Sequence, residues 1–529
     1  MKILVSDSLS KQGVEILQKA GFTVDVKTKL PKEDLLKEIR AYDGLIVRSA
    51  TKVTADVIAA AERLKVVGRA GSGLDNVDTQ AATRRGIVVM NTPGGNTVTT
   101  AEHTMAMIFA MTRRVPQATA SMKAGKWEKE RFMGVELYNK TLGVIGIGQI
   151  GSYLAKLAQG MAINVIAYDP YLAEERARKM GVEVLDLDEL FRRADIISVH
   201  TPLTPETKYL INAAAIERMK PGVMIVNCAR GGIINEADLF EALKAKRVAA
   251  AAFDVFEEPV KPSHPLLTLD NFICTPHIGA STTEAQENVA IGIAEQIVDY
   301  FTKGLARGAV NIPSVPPELL PQLQPYLILT EKIGQLQAQL IEGGLERVTV
   351  EYNGEVASLM VAPLTIAVLK GLLTPILEDA VNFVNAPVIA KERGIEVKEV
   401  RSSDAGDFTS IIRVRVEAGK KAHRMAGTLF HRKDPRIIEI DNFQVEVVPE
   451  GHMMLILNVD RPGVIGAVGQ VLGDHNINIA RMQCSREERG GNALLIIGLD
   501  APLPNDVYET IKREKNILSV KLADLSRGL

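Results

Sequence analysis

Three residues in the middle of the chain have side chains suited to the oxidation of an alcohol: Arg230, Glu258 and His277. An imidazole can take the hydroxyl proton because its pKa lies near neutral. A carboxylate on the other imidazole nitrogen fixes the tautomer and favours the charged form. A guanidinium can hold a substrate carboxylate and polarise a forming ketone. Taken singly, these residues would be a loop histidine, a solvated acid and a surface ion pair, so the hypothesis depends on the elements that bring them together.

Residues 141–169 show the pattern of a dinucleotide-binding unit. An apolar run leads into Gly146-Ile-Gly-Gln-Ile-Gly151, and a helix-like stretch and a second apolar run end at Asp169. Gly146 permits a tight turn, Gly148 lets a pyrophosphate approach the backbone, and Gly151 lets helix and sheet pack closely. The helix N-terminus offers free N–H groups to the phosphates. Asp169 can accept the ribose hydroxyls and would repel a 2′-phosphate, so the pattern predicts NAD rather than NADP.

Polar residues end five apolar segments in succession. They are Asp169, Thr201, Arg230, Asp254 and His277. Open parallel sheets bind ligands beyond the carboxyl ends of their strands. We therefore expect these five residues along one edge of a single sheet.

Residues 1 to about 312 resemble the D-isomer-specific 2-hydroxyacid dehydrogenases. The matching motifs, besides the glycine motif, are Asn227-Cys-Ala-Arg-Gly-Gly232, Asp254-Val-Phe-Glu-Glu-Pro259 and Thr275-Pro-His-Ile-Gly-Ala280. The resemblance implies that Arg230, Glu258 and His277 form the catalytic set. The NAD contacts it implies are Ser72, Gly146, Gly148, Gln149, Ile150, Gly151, Asp169, Thr201, Cys228, Ala229, Arg230, Asp254, His277 and Gly279.

The segment before Pro259 is one residue shorter than the usual form of this family, which leaves two candidates for the acid. Glu258 is preferred to Glu257 because the acid of the family directly precedes the proline.

Two arginines near the amino terminus are the expected anchor for a phosphate group. The whole chain is similar to long-form members of the family that act on a phosphorylated substrate, and the matching segments are 47–51, 68–78 and 91–96. The resemblance assigns the phosphate to Arg48 and Arg69, since two fixed guanidiniums suit a doubly charged group. The alternative is that these arginines pair on the surface with acids such as Asp43 or Asp75.

The expected fold class is α/β, with two doubly wound parallel-sheet lobes followed by two smaller domains. The alternation of short apolar strands with amphipathic helices predicts the parallel sheets. The predicted units are a flavodoxin-like substrate lobe (1–100 and 291–312), a Rossmann NAD lobe inserted in it (101–290), a mixed α/β intervening domain (313–450) and a βαββαβ ACT domain (451–529). Five prolines between Pro313 and Pro325 predict a linker before the third unit.

The last unit resembles an ACT domain, a small-molecule regulatory module. Its motif is Asp460-Arg-Pro-Gly-Val-Ile465, followed by Asn476-Ile-Asn-Ile-Ala480. The Pro-Gly turn opens a helix whose N-terminus can receive a carboxylate. Asp460 and Asn478 could then bind an amino group and a side chain between paired modules, and the resemblance implies L-serine as the effector. The alternative is that Asp460 only caps the helix and the module only mediates oligomerisation.

Composition limits the partners and the compartment. The chain has 529 residues, a net charge of −2 and no basic block suited to nucleic acid. No apolar run is long enough to span a membrane, and the first residues are typical of a strand rather than a signal peptide. Three scattered cysteines fit neither a disulfide framework nor a metal site, so a cytoplasmic protein without a metal is expected.

Two self-pairing regions predict an oligomer. The segment around Trp127 is similar to a dimer contact of the family, although ordinary core packing is the alternative. Together with the ACT module, the resemblance implies a homotetramer.

The expected activity is reversible, NAD-dependent oxidation of a phosphorylated D-2-hydroxyacid. Ser72 and Gly73 would cup its carboxylate with their backbone N–H groups. The alternatives are a dehydrogenase for hydroxypyruvate, glyoxylate or 2-oxoglutarate, and an NAD-sensing corepressor-like binding protein. The two arginines and the ACT-like tail argue against the first two substrates, and the tail also argues against the corepressor.

Overall fold

The computed structural model describes residues 1–313, 315–316, 318–377, 380–419 and 421–526. Its first lobe contains strands β1 (Lys2–Val5), β2 (Thr23–Val26), β3 (Gly44–Val47), β4 (Val66–Arg69) and β5 (Val88–Asn91), with helices α1 (Lys11–Lys19), α2 (Lys32–Glu38), α3 (Ala55–Ala60) and α4 (Thr79–Arg84). All strands are parallel, in the order β2-β1-β3-β4-β5. This is the flavodoxin-like order, so that prediction is confirmed.

The second lobe is a seven-stranded parallel sheet with helices on both faces. Its elements are α5 (Thr97–Thr112), α6 (Val115–Lys123), β6 (Thr141–Ile145), α7 (Gln149–Gly160), β7 (Asn164–Tyr168), α8 (Glu174–Lys179), β8 (Glu183–Val184), α9 (Leu187–Arg193), β9 (Ile196–Val199), α10 (Ala213–Arg218), β10 (Val223–Asn227), α11 (Glu236–Lys244), β11 (Val248–Phe253) and β12 (Phe272–Cys274). The order is β12-β11-β10-β9-β6-β7-β8. The chain leaves β6 in both directions, which is the Rossmann arrangement with its switch point between β6 and β9.

Two long helices join the lobes. Helix α5 leaves the first lobe and buries Ala101, Met105 and Ile108 in the second. Helix α12 (Thr283–Lys303) returns and buries Ile293 and Ile297 against the first sheet. The predicted boundaries at 100/101 and 290/291 fall inside these continuous helices, so the crossings between the lobes are helical.

The third unit is a six-stranded sheet covered by two crossed helices. Its elements are α13 (Leu320–Leu340), β13 (Leu345–Gly354), α14 (Ala362–Leu377), α15 (Ala386–Glu392), β14 (Glu396–Ser402), β15 (Ser410–Ala418), β16 (Lys421–Phe430), β17 (Asp434–Ile440) and β18 (Phe443–Val447). Only β13 and β14 pair in parallel. The helices approach closely at two glycines, since a Cβ on Gly334 would lie 2.4 Å from the carbonyl oxygen of Val368, and one on Gly371 2.2 Å from that of Glu331.

The proline-rich segment differs from the prediction at its end. Helix α13 begins at Leu320, so Pro321 and Pro325 are helical and the linker prediction is wrong for them. Pro321 lies in the first turn, where an N–H would have no acceptor within the helix, so its ring costs little. Pro317 lies outside the described residues.

The last unit is an antiparallel sheet with a βαββαβ connection, as predicted. Its elements are β19 (His452–Val459), α16 (Val464–Asp474), β20 (Ile479–Arg486), β21 (Asn492–Leu499), α17 (Asn505–Lys512) and β22 (Ile517–Asp524). The strand order is β20-β21-β19-β22, which leaves β20 at one edge. Helices α16 and α17 cover one face, and the other face packs Leu455 and Leu494 into the same core as Val445 of β18. None of the described helices has the length and apolar composition needed to cross a bilayer.

Candidate active site

The glycine loop between β6 and α7 leaves room for a pyrophosphate. Gly146 has a φ of 90°, and a Cβ there would lie 2.8 Å from the carbonyl oxygen of His200. A Cβ on Gly151 would lie 2.1 Å from the carbonyl oxygen of Gly146, which keeps the helix close to the strand. A Cβ on Gly148 would meet no described atom within 4 Å. The backbone beside Gly148 is therefore open, and the uncapped start of α7 offers its N–H groups there.

Asp169 lies at the end of β7 beside this loop. Its carboxylate accepts hydrogen bonds from the backbone N–H of Ile147 at 3.0 Å and of Tyr171 at 2.9 Å. These bonds hold an anionic group next to the open backbone at Gly148, where a ribose would follow the pyrophosphate. The residues present therefore fit NAD.

The five polar residues predicted for one edge do lie at the same edge. Asp169, Thr201, Arg230, Asp254 and His277 follow β7, β9, β10, β11 and β12, all parallel strands of the second sheet. The hydroxyl oxygen of Thr201 is buried and has no hydrogen-bond partner among the described residues. It is available to a ligand at this edge.

The other predicted cofactor contacts surround the same edge. Gln149 accepts a hydrogen bond from the Thr97 hydroxyl at 3.2 Å, Ile150 packs against the core of the second lobe, and the carbonyl of Ala229 accepts from the Arg230 guanidinium at 2.7 Å. Cys228 is buried, and burial raises the pKa of its thiol to about 12. Its sulfur is therefore a neutral packing group rather than a nucleophile.

The carboxylate of Asp254 accepts hydrogen bonds from the loop that carries His277. This carboxylate is 1% exposed and accepts from the Thr275 hydroxyl at 2.5 Å and from the N–H groups of Ile278 and Gly279, both at 2.8 Å. Burial alone would raise the pKa of Asp254, but these bonds and one from His103 hold it below the ordinary value. The carboxylate is ionised and shapes the loop on both sides of His277.

The three catalytic candidates share the lobe junction but do not touch one another. Arg230 forms an ion pair across the lobes with Asp75 at 3.1 Å. Throughout the described ranges, no hydrogen bond or ion pair joins Glu258 to His277, and both side chains are exposed. The loops that carry Arg230 and Glu258 are close to each other, because a Cβ on Gly231 would lie 1.9 Å from the carbonyl oxygen of Phe256.

The two neighbouring glutamates differ in their contacts. The carboxylate of Glu257 accepts from the Tyr209 hydroxyl at 2.8 Å, and its own N–H donates to Glu236 at 2.8 Å. Glu258 makes no hydrogen bond or ion pair with any other described residue. Glu257 is thus occupied within the second lobe and Glu258 is available to the site, which favours Glu258 as the acid.

Arg48 and Arg69 lie at the carboxyl ends of β3 and β4. Asp7 positions the first by accepting from the N–H groups of Arg48 and Thr51, at 2.6 and 3.1 Å. Arg69 folds over Gly71, where a Cβ would lie 1.6 Å from its Nη1. The buried Nε of Arg69 has no hydrogen-bond partner in the ranges that the structure describes.

Arg69 lies close enough to Arg48 and Arg230 for their positive charges to act on it. Burial lowers the pKa of Arg69, and the positive charges of Arg230 and Arg48 lower it further. Gly73 lies against the third cation, since a Cβ there would be 2.2 Å from the Nη2 of Arg230. A desolvated cation near two further positive charges, with an unsatisfied donor, suits an anionic ligand.

The alternative pairing of the two arginines does not occur. Asp43 binds Arg63 at 3.0 Å, and Asp75 binds Arg230. Ser72, the other residue predicted in this loop, donates its hydroxyl to Asn96 at 2.7 Å. The pairing of Asp75 with Arg230 could not be predicted from the sequence, because the pair joins two lobes.

Asp460, one of the two predicted effector contacts, does not cap helix α16. Gly463 occupies the N-cap position of α16, and no side chain caps this helix, so the alternative that Asp460 caps it is wrong. Asp460 instead accepts from the N–H of Gly490 at 3.0 Å and binds Arg486 at 3.3 Å. The Gly490 bond, with the Arg486 bond and charge, holds the pKa of Asp460 below its ordinary value.

Asn478 lies far from Asp460 within one chain. Asn478 directly precedes Ile479, the first residue of β20, and donates to Asp500 at 2.7 Å. Asp460 contacts Arg486, the last residue of the same strand. An eight-residue strand separates them, which spans about 23 Å. The two side chains therefore do not form one site in a single copy.

Trp127 is 81% exposed, so the alternative of core packing is wrong. Met133 and Tyr138 nearby are also largely exposed.

Comparison with known proteins gives three family matches along the chain. The D-isomer specific 2-hydroxyacid dehydrogenase NAD binding domain matches residues 105–279, the D-3-phosphoglycerate dehydrogenase intervening domain matches 322–441, and the ACT domain matches 452–516. The matches include Arg230, Glu258 and His277 as well as Asp460 and Asn478, whereas Arg48 and Arg69 lie before the first of them.

Similar proteins cover the whole chain. It is 47% identical to the D-3-phosphoglycerate dehydrogenase of Methanocaldococcus jannaschii, over 99% of this chain and 100% of that protein. It is 46% identical to that of Archaeoglobus fulgidus, over the same shares. The NAD⁺-bound 3-phosphoglycerate dehydrogenase of Entamoeba histolytica superposes with a TM-score of 0.51 at 34% identity, covering 60% of this chain and 99% of that chain. The chain therefore belongs to the D-3-phosphoglycerate dehydrogenases, a branch of the D-isomer specific 2-hydroxyacid dehydrogenase family.

Proposed function

We propose that this chain oxidises 3-phospho-D-glycerate to 3-phosphooxypyruvate with NAD, the first step of L-serine biosynthesis. The observation that carries the proposal is the placement of Arg48 and Arg69 at the carboxyl ends of β3 and β4, with Arg230 paired across the lobe junction to Asp75 of the same lobe, beside the edge that fits NAD. Glyoxylate and hydroxypyruvate each have one negative group and need one guanidinium. Three guanidiniums match a substrate with a phosphate at one end and a carboxylate at the other.

The substrate lies between the lobes in this proposal. Arg48 and Arg69 hold the phosphate, and the N–H groups of Ser72 and Gly73 receive the carboxylate together with Arg230. In the structure, the Arg230 guanidinium forms an ion pair with Asp75. When the substrate binds, its carboxylate replaces Asp75 on part of that guanidinium. Substrate binding thereby exchanges one inter-lobe contact for another and couples binding to lobe closure.

The hydride leaves C2 of the substrate, and the proton leaves the hydroxyl oxygen bound to that carbon. NAD, when bound, supplies the acceptor for the C2 hydride. His277 takes the hydroxyl proton, and Glu258 stabilises the imidazolium that results. Glu258 and His277 are not hydrogen-bonded here, and we expect the bond to form around the substrate, because catalytic hydrogen bonds often tighten only then.

The test compares two acceptors in the reverse reaction. We expect kcat/KM for 3-phosphooxypyruvate to exceed that for hydroxypyruvate by at least about 100-fold, because the phosphate adds charge-assisted hydrogen bonds worth about 3 kcal/mol. NADH oxidation measured by absorbance provides both values. Equal values would contradict the phosphate anchor, and no NADH oxidation with either acceptor would favour a corepressor-like binding protein.

Replacing Glu257 and Glu258 by glutamine, one at a time, tests which of them is the catalytic acid. We expect Glu258→Gln to lower kcat about 100-fold, because the imidazolium of His277 loses its counter-charge. The matched variant Glu257→Gln removes the same charge one residue away and should leave kcat within about threefold, since Glu257 is bound to Tyr209. Steady-state kinetics with saturating NADH measure both, and the reverse ranking would transfer the role to Glu257.

We also propose that L-serine inhibits the enzyme through paired ACT modules. Strand β20 is an edge strand, so two copies can pair it in antiparallel orientation. This pairing places Asp460 of one copy beside Asn478 of the other. The two residues can then form one site although they lie at opposite ends of β20 within a single chain. The uncapped N-terminus of α16 can then receive the serine carboxylate. Pairing at β20 and at the surface around Trp127 together would build a homotetramer.

Serine inhibition has a direct test at Asp460. We expect Asp460→Ala to raise the serine concentration for half-inhibition at least about 30-fold without changing kcat, because the ammonium group loses its carboxylate. Asp506→Ala removes an exposed acid of the same domain and should leave inhibition unchanged. A wild-type enzyme that serine does not inhibit would leave the module a purely oligomeric role.

The cellular location and the partners of the chain are also proposals. We propose a cytoplasmic enzyme whose partners are small molecules and further copies of itself, without nucleic acid or membrane. The cysteine pattern supports this location, since Cys228, Cys274 and Cys484 are all free thiols.

A further inference from the structure

A chain of hydrogen bonds connects helix α5 to the loop that carries His277. The Nε2 of His103 lies 3.1 Å from the hydroxyl of Thr275 and 3.4 Å from a carboxylate oxygen of Asp254. The His103 side chain is 16% exposed and belongs to the helix that joins the lobes. The mechanism proposed above uses neither His103 nor Thr275.

The direction of these hydrogen bonds follows from their chemistry. The ionised carboxylate of Asp254 can only accept, so the single hydroxyl hydrogen of Thr275 points to it. The oxygen of Thr275 must then accept from His103, which places a hydrogen on Nε2. The chain therefore runs from His103 through Thr275 to Asp254.

The carboxylate at the end of this chain holds a strained backbone. Its other partners are the N–H groups of Ile278 and Gly279, so it binds residues before and after His277. His277 has a φ of 56°, a left-handed conformation that is unfavourable for a residue other than glycine. Such a conformation persists only where its surroundings enforce it.

The amino-terminal end of helix α5 reaches the other parts of the site. Asn96, which precedes the helix, accepts from Ser72 in the substrate loop, and Thr97 donates to Gln149 at the start of α7. The ring of His103 also lies against Gly279, since a Cβ there would be 3.6 Å from its Cδ2. One rigid helix thus contacts the substrate loop, the cofactor helix and the catalytic loop.

We propose that His103 is a positioning residue for the reaction. Its Nε2–H, acting through Thr275 and Asp254, sets the His277 loop in register with the substrate loop held by the same helix. This inference rests on the proposed function, in which His277 is the base.

Two variants of His103 test the role of the Nε2 hydrogen. We expect His103→Leu, which removes the donor, to lower kcat about 30-fold while the Kd for NADH stays within about twofold. His103→Gln places an amide N–H near the same oxygen and should restore kcat to within about threefold of wild type. Equal losses in the two variants, or a rise in Kd that parallels the loss of kcat, would reduce His103 to a packing residue.

A second variant tests the chain itself and does not depend on the folding of His103→Leu. Thr275→Val removes the hydroxyl at nearly constant volume and should give a similar loss of kcat. The double variant should lose no more than the larger single loss, since both changes break one chain, whereas a product of the two losses would overturn the inference.

Amide exchange separates this inference from the proposed function. We expect the N–H groups of Ile278 and Gly279 to exchange at least about tenfold faster in Thr275→Val, measured by mass spectrometry on the full-length enzyme. Unchanged exchange together with unchanged kcat would overturn the positioning role alone. A wild type that fails to reduce 3-phosphooxypyruvate would overturn the proposed function, while the exchange result would still decide whether the chain holds the loop.

Discussion

His277→Asn should lower kcat about 1,000-fold while the Kd for NADH stays within about twofold. The loss is that expected for removal of a general base, which typically contributes 10²- to 10⁴-fold. Asparagine is the suitable replacement because His277 has a φ of 56°, and asparagine tolerates the left-handed region better than other polar residues. The variant thus keeps the loop conformation and removes only the titrating group.

The measurement combines steady-state turnover with NADH fluorescence titration. His431→Asn, at a histidine that is 82% exposed in the third unit, serves as the matched control and should retain wild-type kcat. A His277→Asn enzyme with more than about a tenth of wild-type kcat would remove His277 from the role of base. Loss of NADH binding would show instead that the edge of the sheet had been disturbed.

The sheet topology and its polar edge could be predicted because they follow from local patterns. Apolar segments alternating with helices imply parallel strands, and parallel strands share a carboxyl edge. Once this is granted, Asp169 and His277 must lie at one edge although a hundred residues of chain separate them. Periodicity likewise gave the βαββαβ unit nearly to the residue at β19 and α16.

Contacts between units could not be predicted in the same way. Asp75 was a possible partner of Arg48 or Arg69 but pairs with Arg230, because that choice depends on how two lobes are placed. The hydrogen-bond chain from His103 also joins residues from distant segments. No local pattern encodes these placements, since each side chain alone fits an ordinary surface or core position.

Turn geometry explains why Asp460 does not cap helix α16. An acid shortly before a helix is a common N-cap, and the sequence allowed that alternative. Gly463 instead takes the cap position with a φ of 97°, which only glycine adopts at little cost. The preceding turn carries Asp460 away from the helix and towards the hairpin at Gly490. A carboxylate that is not used for capping is one that a ligand can compete for.

Replacement of Arg69 should separate substrate recognition from chemistry. We expect Arg69→Gln to lower kcat/KM for 3-phosphooxypyruvate about 100- to 1,000-fold and that for hydroxypyruvate by less than about threefold. Two charge-assisted hydrogen bonds to the phosphate are worth about 3 to 4 kcal/mol, and each 1.4 kcal/mol is tenfold. Arg69→Lys keeps the charge without the forked pair of donors, so its kcat/KM for 3-phosphooxypyruvate should lie between those of the wild type and Arg69→Gln.

The position of Arg69 explains why its effect should exceed that of Arg48. Arg69 is the more desolvated of the two cations, and its Nε has no hydrogen-bond partner among the described residues, so a phosphate there gains bonds that water does not already supply. Arg63→Gln is the matched control, because Arg63 belongs to the same lobe and is bound to Asp43. The melting temperature gives an independent readout: saturating 3-phospho-D-glycerate should raise it in the wild type and the control but not in Arg69→Gln. Equal losses with both acceptors would mean that Arg69 supports the fold of the site rather than the phosphate, and the choice of substrate would then have to rest on other residues.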